Sequence, residues 1–262
     1  MSRKLEKDRH GYLLIGVIVI ILIAFLIFRA TLIAPSGCPD DCCGIISQSS
    51  VILLDHTDAI TQQTKSEIES RALAHVESLP ENSRVTVFAV TEQSKTDLKP
   101  RFNRCIPPQF VSPLTGDPKQ VQKNYNAKFR TPLVESLRSQ IRKSNQSPLA
   151  QAMTDISLSQ YLRAPVNHLL VFSDMLENTS TFSLYSCTSS QQAAIDYRKA
   201  RKGAEERPRF VNTDIMLNLI PRYDLPEGAL RCRDGFWNWF FGDNSGPAAV
   251  IRSEYLPGGD TR

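Results

Sequence analysis

The sequence predicts an α/β fold, a doubly wound and mostly parallel sheet, preceded by a single transmembrane helix. Short aliphatic runs alternate with longer amphipathic patterns, as strands alternate with helices in such folds. Two of the runs end in side chains that carry oxygen, which suits strands whose carboxyl ends face a ligand crevice. The third observation is that residues 12–28 contain no charged side chain.

The length and charge of the chain limit the number of domains and the kinds of partner to expect. The chain has 262 residues, so without its apolar N-terminal segment it can hold one α/β domain. Its net charge is +4, with both signs interspersed along the sequence. We therefore expect no nucleic-acid partner, because binding to phosphates needs a concentrated basic face.

The N-terminal segment predicts a membrane anchor. A helix over residues 12–28 nearly spans a hydrocarbon layer of about 30 Å, and snorkelling of Arg29 extends the span to residue 34. Residues 1–11 are basic, whereas Asp40 and Asp41 follow the span. The positive-inside rule thus predicts a single-pass signal anchor with a cytoplasmic N-terminus and an extracytoplasmic domain. A buried core helix, a cleaved signal peptide and a lipoprotein site at Cys38 are the alternatives.

The six cysteines also indicate an extracytoplasmic location for the domain. An even number suits disulfides in an oxidising environment, with connectivity that the sequence leaves open. A metal site or free thiols in the linker over residues 35–49 are the alternatives for the first three. The cysteines are residues 38, 42, 43, 105, 187 and 232.

The predicted domain covers residues 50–256 and leaves a tail at 257–262. Its first strand, Val51 to Asp55, is apolar on both faces, which predicts a central position in the sheet. Asp55 and Thr57 lie at its carboxyl end, at the edge of the sheet where ligands bind. The other predicted strands cover residues 84–91, 98–102 (a short edge strand), 167–174, 212–221 and 248–255.

The segments between these strands show helical periodicity, which predicts helices there. Ser147 is predicted to cap a helix that has Pro148 as its first residue and continues to Leu162. An aromatic-rich segment at 233–241 is predicted to pack its rings on the sheet, with partner recognition as the alternative. The remaining predicted helices cover residues 60–79, 121–141 and 189–202.

The strand that ends in Asp55-x-Thr57 resembles the first strand of von Willebrand factor A-like (vWA) domains, and two later loops match that family. Ser147 matches the hydroxyl residue of the second loop, where Thr131 has the same form, and Asp174 matches the acid of the third. The resemblance implies a mostly parallel sheet with one antiparallel edge strand. It also implies a divalent cation, Mg²⁺ or Mn²⁺, whose ligands would be Asp55, Thr57, Ser147 and Asp174.

Two positions depart from the family pattern. Ala59 stands where a third oxygen ligand is expected, and Met175 stands where the family has Gly. Glu177 and Asn178 are candidates to replace the missing oxygen. The alternative is a site without an ion, in which Asp55 accepts hydrogen bonds from neighbouring backbone amides.

The resemblance implies a protein-interaction module with a degenerate cation site and no enzymatic activity. The alternative is a haloacid-dehalogenase-like phosphotransferase, with Asp55 as nucleophile and Ser173 as phosphate binder. That family needs a second Asp as general acid, and position 57 is Thr.

Overall fold

The computed structural model describes residues 12, 15–27, 42, 44–55, 57, 59–113, 116–138, 144–204, 207–242 and 250–258. The chain divides into two compact units, Met1–Cys38 and Pro39–Arg262. In the first unit, residues 15–27 are helical and their apolar side chains are exposed. No helix within the described ranges has both the length and the apolar character needed to cross a membrane. The span predicted over residues 12–34 is thus not found there, and residues 13, 14 and 28–34 lie outside the description.

The second unit contains a six-stranded sheet in the order β3-β2-β1-β4-β5-β6. All neighbouring strands are parallel except β2 and β3, which are antiparallel. This arrangement confirms the predicted mostly parallel α/β fold with one antiparallel edge strand, and it confirms the central position of the first strand. The strands are β1 Gln48–Asp55, β2 Arg84–Val90, β3 Phe102–Cys105, β4 Val166–Ser173, β5 Thr213–Leu219 and β6 Val250–Tyr255.

The helices of this unit, numbered α1 to α6, cover both faces of the sheet. A π-helical turn, Asn126–Arg130, joins α2 to α3, and a short 3₁₀ turn, Gln160–Leu162, follows α4. The helices are α1 Gln62–Ser78, α2 Pro118–Tyr125, α3 Thr131–Arg138, α4 Leu149–Leu158, α5 Ser190–Arg201 and α6 Glu227–Gly242.

Side chains of β1 alternate between two hydrophobic cores, because successive residues of a strand point to opposite faces. Val51 and Leu53 pack in the core covered by α4, α5 and α6. Ile52 and Leu54 pack in the core covered by α1, α2 and α3. Both cores lie against the same central strand, so β1 and the residues that follow it have a fixed position.

Two sequence predictions need correction and one is confirmed. The edge strand begins at Phe102 rather than near residue 98, because Pro100 cannot donate to a strand ladder. Ser147 does not cap α4. The helix begins at Leu149, Pro148 occupies the N-cap position, and no hydrogen bond from an N-cap side chain is made there. The predicted packing of the α6 rings on the sheet is confirmed for Phe236, Trp237 and Phe240, which are at most 4% exposed, and this burial excludes the alternative of partner recognition for them.

Two disulfides lie within the described part of the chain. Cys42 pairs with Cys105 and thereby ties the segment before β1 to the edge strand β3. Cys187 pairs with Cys232 and ties the loop after β4 to α6. The preference for disulfides is confirmed for these four residues, whereas Cys38 and Cys43 lie outside the description.

Candidate functional site

The candidate site lies where β1 and β4 end side by side. Asp55 is the last residue of β1, and its carboxylate accepts four hydrogen bonds. Oδ1 accepts from the backbone N–H of Thr57 at 3.2 Å and from the hydroxyl of the same residue at 2.7 Å. Oδ2 accepts from the hydroxyl of Ser147 at 3.0 Å and from that of Ser173 at 2.8 Å. Three segments distant in sequence therefore meet at one carboxylate, which we call the Asp55 network.

Burial governs the electrostatics of this network. Asp55, Thr57 and Ser147 are at most 7% exposed. Burial raises the pKa of the Asp55 carboxyl above its ordinary value, and the hydrogen bonds from Thr57, Ser173 and Ser147 oppose that rise. The hydroxyl groups thus provide the stabilisation of the anion that water would otherwise supply.

The loops around the network are fixed by backbone pairing. Ser147 donates its N–H to the carbonyl of Asn178 at 2.7 Å and accepts the N–H of Asn178 at 3.0 Å. The neighbouring Glu177, only 2% exposed, accepts the N–H of Ala150 at 2.7 Å. Glu177 therefore satisfies an N-terminal donor of α4, so Ser147 is left to bond Asp55.

Asp174, the fourth predicted ligand, is engaged with an arginine. Its Oδ2 accepts from Nη1 of Arg222 at 2.5 Å, and its Oδ1 accepts from the N–H of Leu176 at 2.9 Å. Arg222 follows β5 and contacts the rim from the neighbouring strand. A second buried cation, Arg233 of α6, donates to the backbone carbonyl of Asp174 at 3.0 Å.

Met175 has a backbone conformation that favours glycine. Its φ is 59°, in the left-handed region, which costs a residue with a Cβ about 1 kcal/mol. Its N–H donates to the hydroxyl of Ser173 at 2.8 Å, and its carbonyl accepts from the indole of Trp237 at 2.7 Å. These bonds hold the loop in the conformation that points Asp174 towards Arg222.

As arranged, the predicted ligands do not fit a divalent cation. Hard cations such as Mg²⁺ need carboxylate or hydroxyl oxygens that face the ion. The oxygens of Asp55 already accept hydrogen bonds from protein groups, Asp174 is paired with a guanidinium, and Ala59 supplies no side-chain oxygen. No group of three or more His, Cys, Asp or Glu side chains in the described part of the chain is arranged to hold a metal ion.

The sequence predicted three members of this site and missed others. Asp55, Thr57 and Ser147 meet as expected from their positions at strand and helix ends. Sequence reasoning assigns Ser173 a role only in the phosphotransferase alternative, as phosphate binder, and it misses Arg222. The available signal for Arg222 was its place directly beyond β5, because the carboxyl ends of parallel strands meet at one rim.

Comparison with known proteins finds similarity only at the level of solved structures. No family model and no curated protein matches the chain. The chain is similar to a von Willebrand factor type A protein from Catenulispora acidiphila (11% identity, TM-score 0.38), with 80% of this chain and 39% of that one covered. It is also similar to the ArnB paralog VWA2 from Sulfolobus acidocaldarius (10% identity, TM-score 0.41), with 80% and 42% covered.

A third similar structure is the human COPII-coat protein Sec24c, at 8% identity and a TM-score of 0.34, with 84% of this chain and 31% of that one covered. This chain thus spans less than half the length of each of these structures.

Proposed function

We propose that this chain is a membrane-anchored protein-interaction module similar to vWA domains, which presents the carboxyl rim of its sheet to a protein partner. The observation that carries the proposal is the Asp55 network, in which side chains from three distant segments fix the loops of that rim. A surface that is already ordered loses less conformational entropy when a partner binds.

Two tyrosines next to Arg222 supply the contact surface in this proposal. Tyr185 is 37% exposed and Tyr223 is 70% exposed. Tyr185 accepts a hydrogen bond from Arg222 at 3.1 Å, and Tyr223 directly follows Arg222 in the chain. Tyrosine is enriched among the residues that carry binding energy in protein interfaces, because it combines a large apolar face with a polar group.

The anchor is the N-terminal segment. Its support is the run over residues 12–28 without a charged side chain, together with the exposure of the apolar side chains described within residues 15–27. The charge difference across this segment supports a cytoplasmic N-terminus and an extracytoplasmic domain. The absence of enzymatic activity stays a prediction.

The phosphotransferase alternative has no specific observation in its favour. A nucleophilic carboxylate needs an oxygen directed at the substrate, whereas both oxygens of Asp55 accept hydrogen bonds from the protein. Ser173, the phosphate binder of that hypothesis, donates its hydroxyl to the supposed nucleophile.

Photo-crosslinking of the full chain in membranes tests the proposal. A photoreactive amino acid at position 223 should crosslink to a defined protein, and Tyr185→Ala should weaken that crosslink. Position 110 is the matched control, because Phe110 is 85% exposed and follows β3 at the opposite rim of the sheet. Equal crosslinking from both positions, or release of the chain from membranes by an alkaline wash, would refute the proposal.

A further inference from the structure

The ion pair between Asp174 and Arg222 places a positive charge on one of the carboxylates that the vWA resemblance implies as metal ligands. The side chains of both residues are 7% exposed, and the distance from Nη1 to Oδ2 is 2.5 Å. A buried carboxylate requires a nearby positive charge or strong hydrogen-bond donors. Asp174 has both, since Leu176 donates its backbone N–H to the other carboxylate oxygen.

Arg222 is held at this position by further contacts. Its Nε and Nη2 atoms donate to the two carboxylate oxygens of Asp224, each at 2.9 Å. Its guanidinium carbon lies 5.5 Å from the centre of the Tyr185 ring, within the range of a cation–π interaction. Hydrogen bonding to Asp224 also raises the pKa of Arg222, so the guanidinium stays charged at every pH at which the protein is folded.

A guanidinium and a divalent ion exclude each other from one small buried site. Two positive groups repel strongly where water does not screen them. In addition, the ion would need Asp174 to release Arg222, which would then lose a buried partner. The hydroxyls of the Asp55 network donate their protons to Asp55, so they offer an ion only neutral oxygen lone pairs and cannot replace the charge of Asp174.

We propose that Arg222 is the resident cation of this rim, and that it neutralises Asp174 in place of a divalent ion. The rim is therefore assembled without metal, and partner binding there is insensitive to chelators. Removal of the guanidinium leaves Asp174 available to a cation. The proposal concerns how the site is neutralised, and it stands whether or not the rim binds a protein.

Metal titration of the full chain in detergent tests this proposal. Thermal unfolding is followed while MgCl₂ is raised to millimolar concentration, and MnCl₂ binding is followed by the loss of the free Mn²⁺ signal in electron paramagnetic resonance. The wild-type chain is expected to show neither a saturable rise in melting temperature nor stoichiometric uptake of Mn²⁺. Stoichiometric uptake by the wild type that Asp55→Asn abolishes would overturn the proposal.

Variants that lack the Arg222 charge test whether its removal allows a cation to bind. Arg222→Met keeps an apolar stem of similar length and removes the charge, so this variant should melt lower than the wild type and recover with Mg²⁺. Arg222→Met combined with Asp174→Asn is the matched control, which should melt without any response to Mg²⁺. A folded Arg222→Met variant that takes up no Mn²⁺ would also overturn the proposal. If that variant does not fold, the wild-type titration still decides.

Discussion

Burial raises the pKa of one glutamate in this domain far above its ordinary value. Glu177 is 2% exposed and accepts the backbone N–H of Ala150. Burial raises its pKa to about 8; the N–H bond from Ala150 opposes this shift, and the nearby Asp55 carboxylate adds to it. At neutral pH the folded protein therefore holds a proton on Glu177 that the unfolded chain releases.

A pH-dependent loss of stability follows from this difference. Because the pKa in the folded state lies above the unfolded value of about 4.3, the contribution of Glu177 is complete below that value and is lost as pH rises through about 8. The Glu177→Gln variant should lack this dependence, so between pH 5 and 9 it should lose about 4 kcal/mol less unfolding free energy than the wild type. Urea unfolding of both proteins at pH values from 5 to 9 measures this difference in free energy.

An exposed glutamate serves as the control for this experiment. Glu135→Gln on α3 should keep the wild-type slope, because the side chain of Glu135 faces water. A Glu177→Gln variant with an unchanged slope would show that Glu177 ionises normally in the folded protein.

At the scale of single residues, the sequence predicts which groups end strands but not how their charges are paired. Asp55 and Thr57 follow an unbroken aliphatic run, so their place at the rim could be predicted. The partner of Asp174 lies 48 residues further on in a loop, and nothing local to either residue marks the pair. The same holds for Glu177, whose carboxylate replaces the hydroxyl of Ser147 as a capping acceptor of α4 because Ser147 bonds Asp55.

At the scale of elements, α1 packs on the sheet through a pair of histidines. The rings of His75 on α1 and His168 on β4 meet edge to face with their centres 5.2 Å apart. The Nε2 atom of His75 lies 2.9 Å from the hydroxyl of Ser50 on β1. Burial lowers the pKa of His75 to about 4, with a further contribution from His168, and Asp214 opposes the shift.

This helix–sheet contact should weaken in acid. The folded-state pKa of His75 lies below the unfolded value of about 6.5, so its contribution to stability is complete above that value and is lost as pH falls towards 4. His75→Gln should reduce the loss by about 2 kcal/mol between pH 7 and 4. Thermal unfolding of both proteins over this range gives the difference, in which the opposite contribution of Glu177 cancels.

The comparison at neutral pH provides the control for this experiment. His75 is uncharged there, so wild type and His75→Gln should differ by the lost contacts with the His168 ring and the Ser50 hydroxyl, and the gap should close on acidification. A gap that stays constant from pH 7 to pH 4 would mean that His75 does not titrate with unfolding.

Most elements could be predicted because their patterns are local. Short aliphatic runs predict β1, β2, β4 and β5 to within a few residues. The edge strand β3 was placed too early, since its position depends on long-range contacts: pairing with β2 and the disulfide from Cys105 to Cys42. Such contacts leave no periodic signal in a strand of four residues.

At the scale of the whole molecule, the sheet order brings the functional segments together. Since β1 pairs with β4, and β4 with β5, the segments that follow these strands lie next to each other at one rim. Asp55, Ser173 and Arg222 follow or end those three strands in turn. A mostly parallel sheet with one antiparallel edge strand could be expected from the family resemblance, whereas the strand order and the ion pair between Asp174 and Arg222 appear only in the assembled structure.

The disulfides connect distant parts of this unit, and their removal should show how much stability they provide. Cys42 and Cys105 are 63 residues apart, and Cys187 and Cys232 are 45 apart. Closing loops of this size removes chain entropy worth about 4 kcal/mol each in the unfolded state. Replacing Cys187 and Cys232 together by Ala should lower the free energy of unfolding by roughly 2–4 kcal/mol, as measured by urea titration.

The pairing itself is checked by peptide mapping without reduction, and the double variant should leave the Cys42–Cys105 peptide unchanged. Because the Cys187–Cys232 bond joins the loop after β4 to α6, its loss should expose the loop near Cys187 to protease before the rest of the domain opens. A double variant as stable and as protease-resistant as the wild type would mean that the packing of α6 alone holds that loop against the sheet.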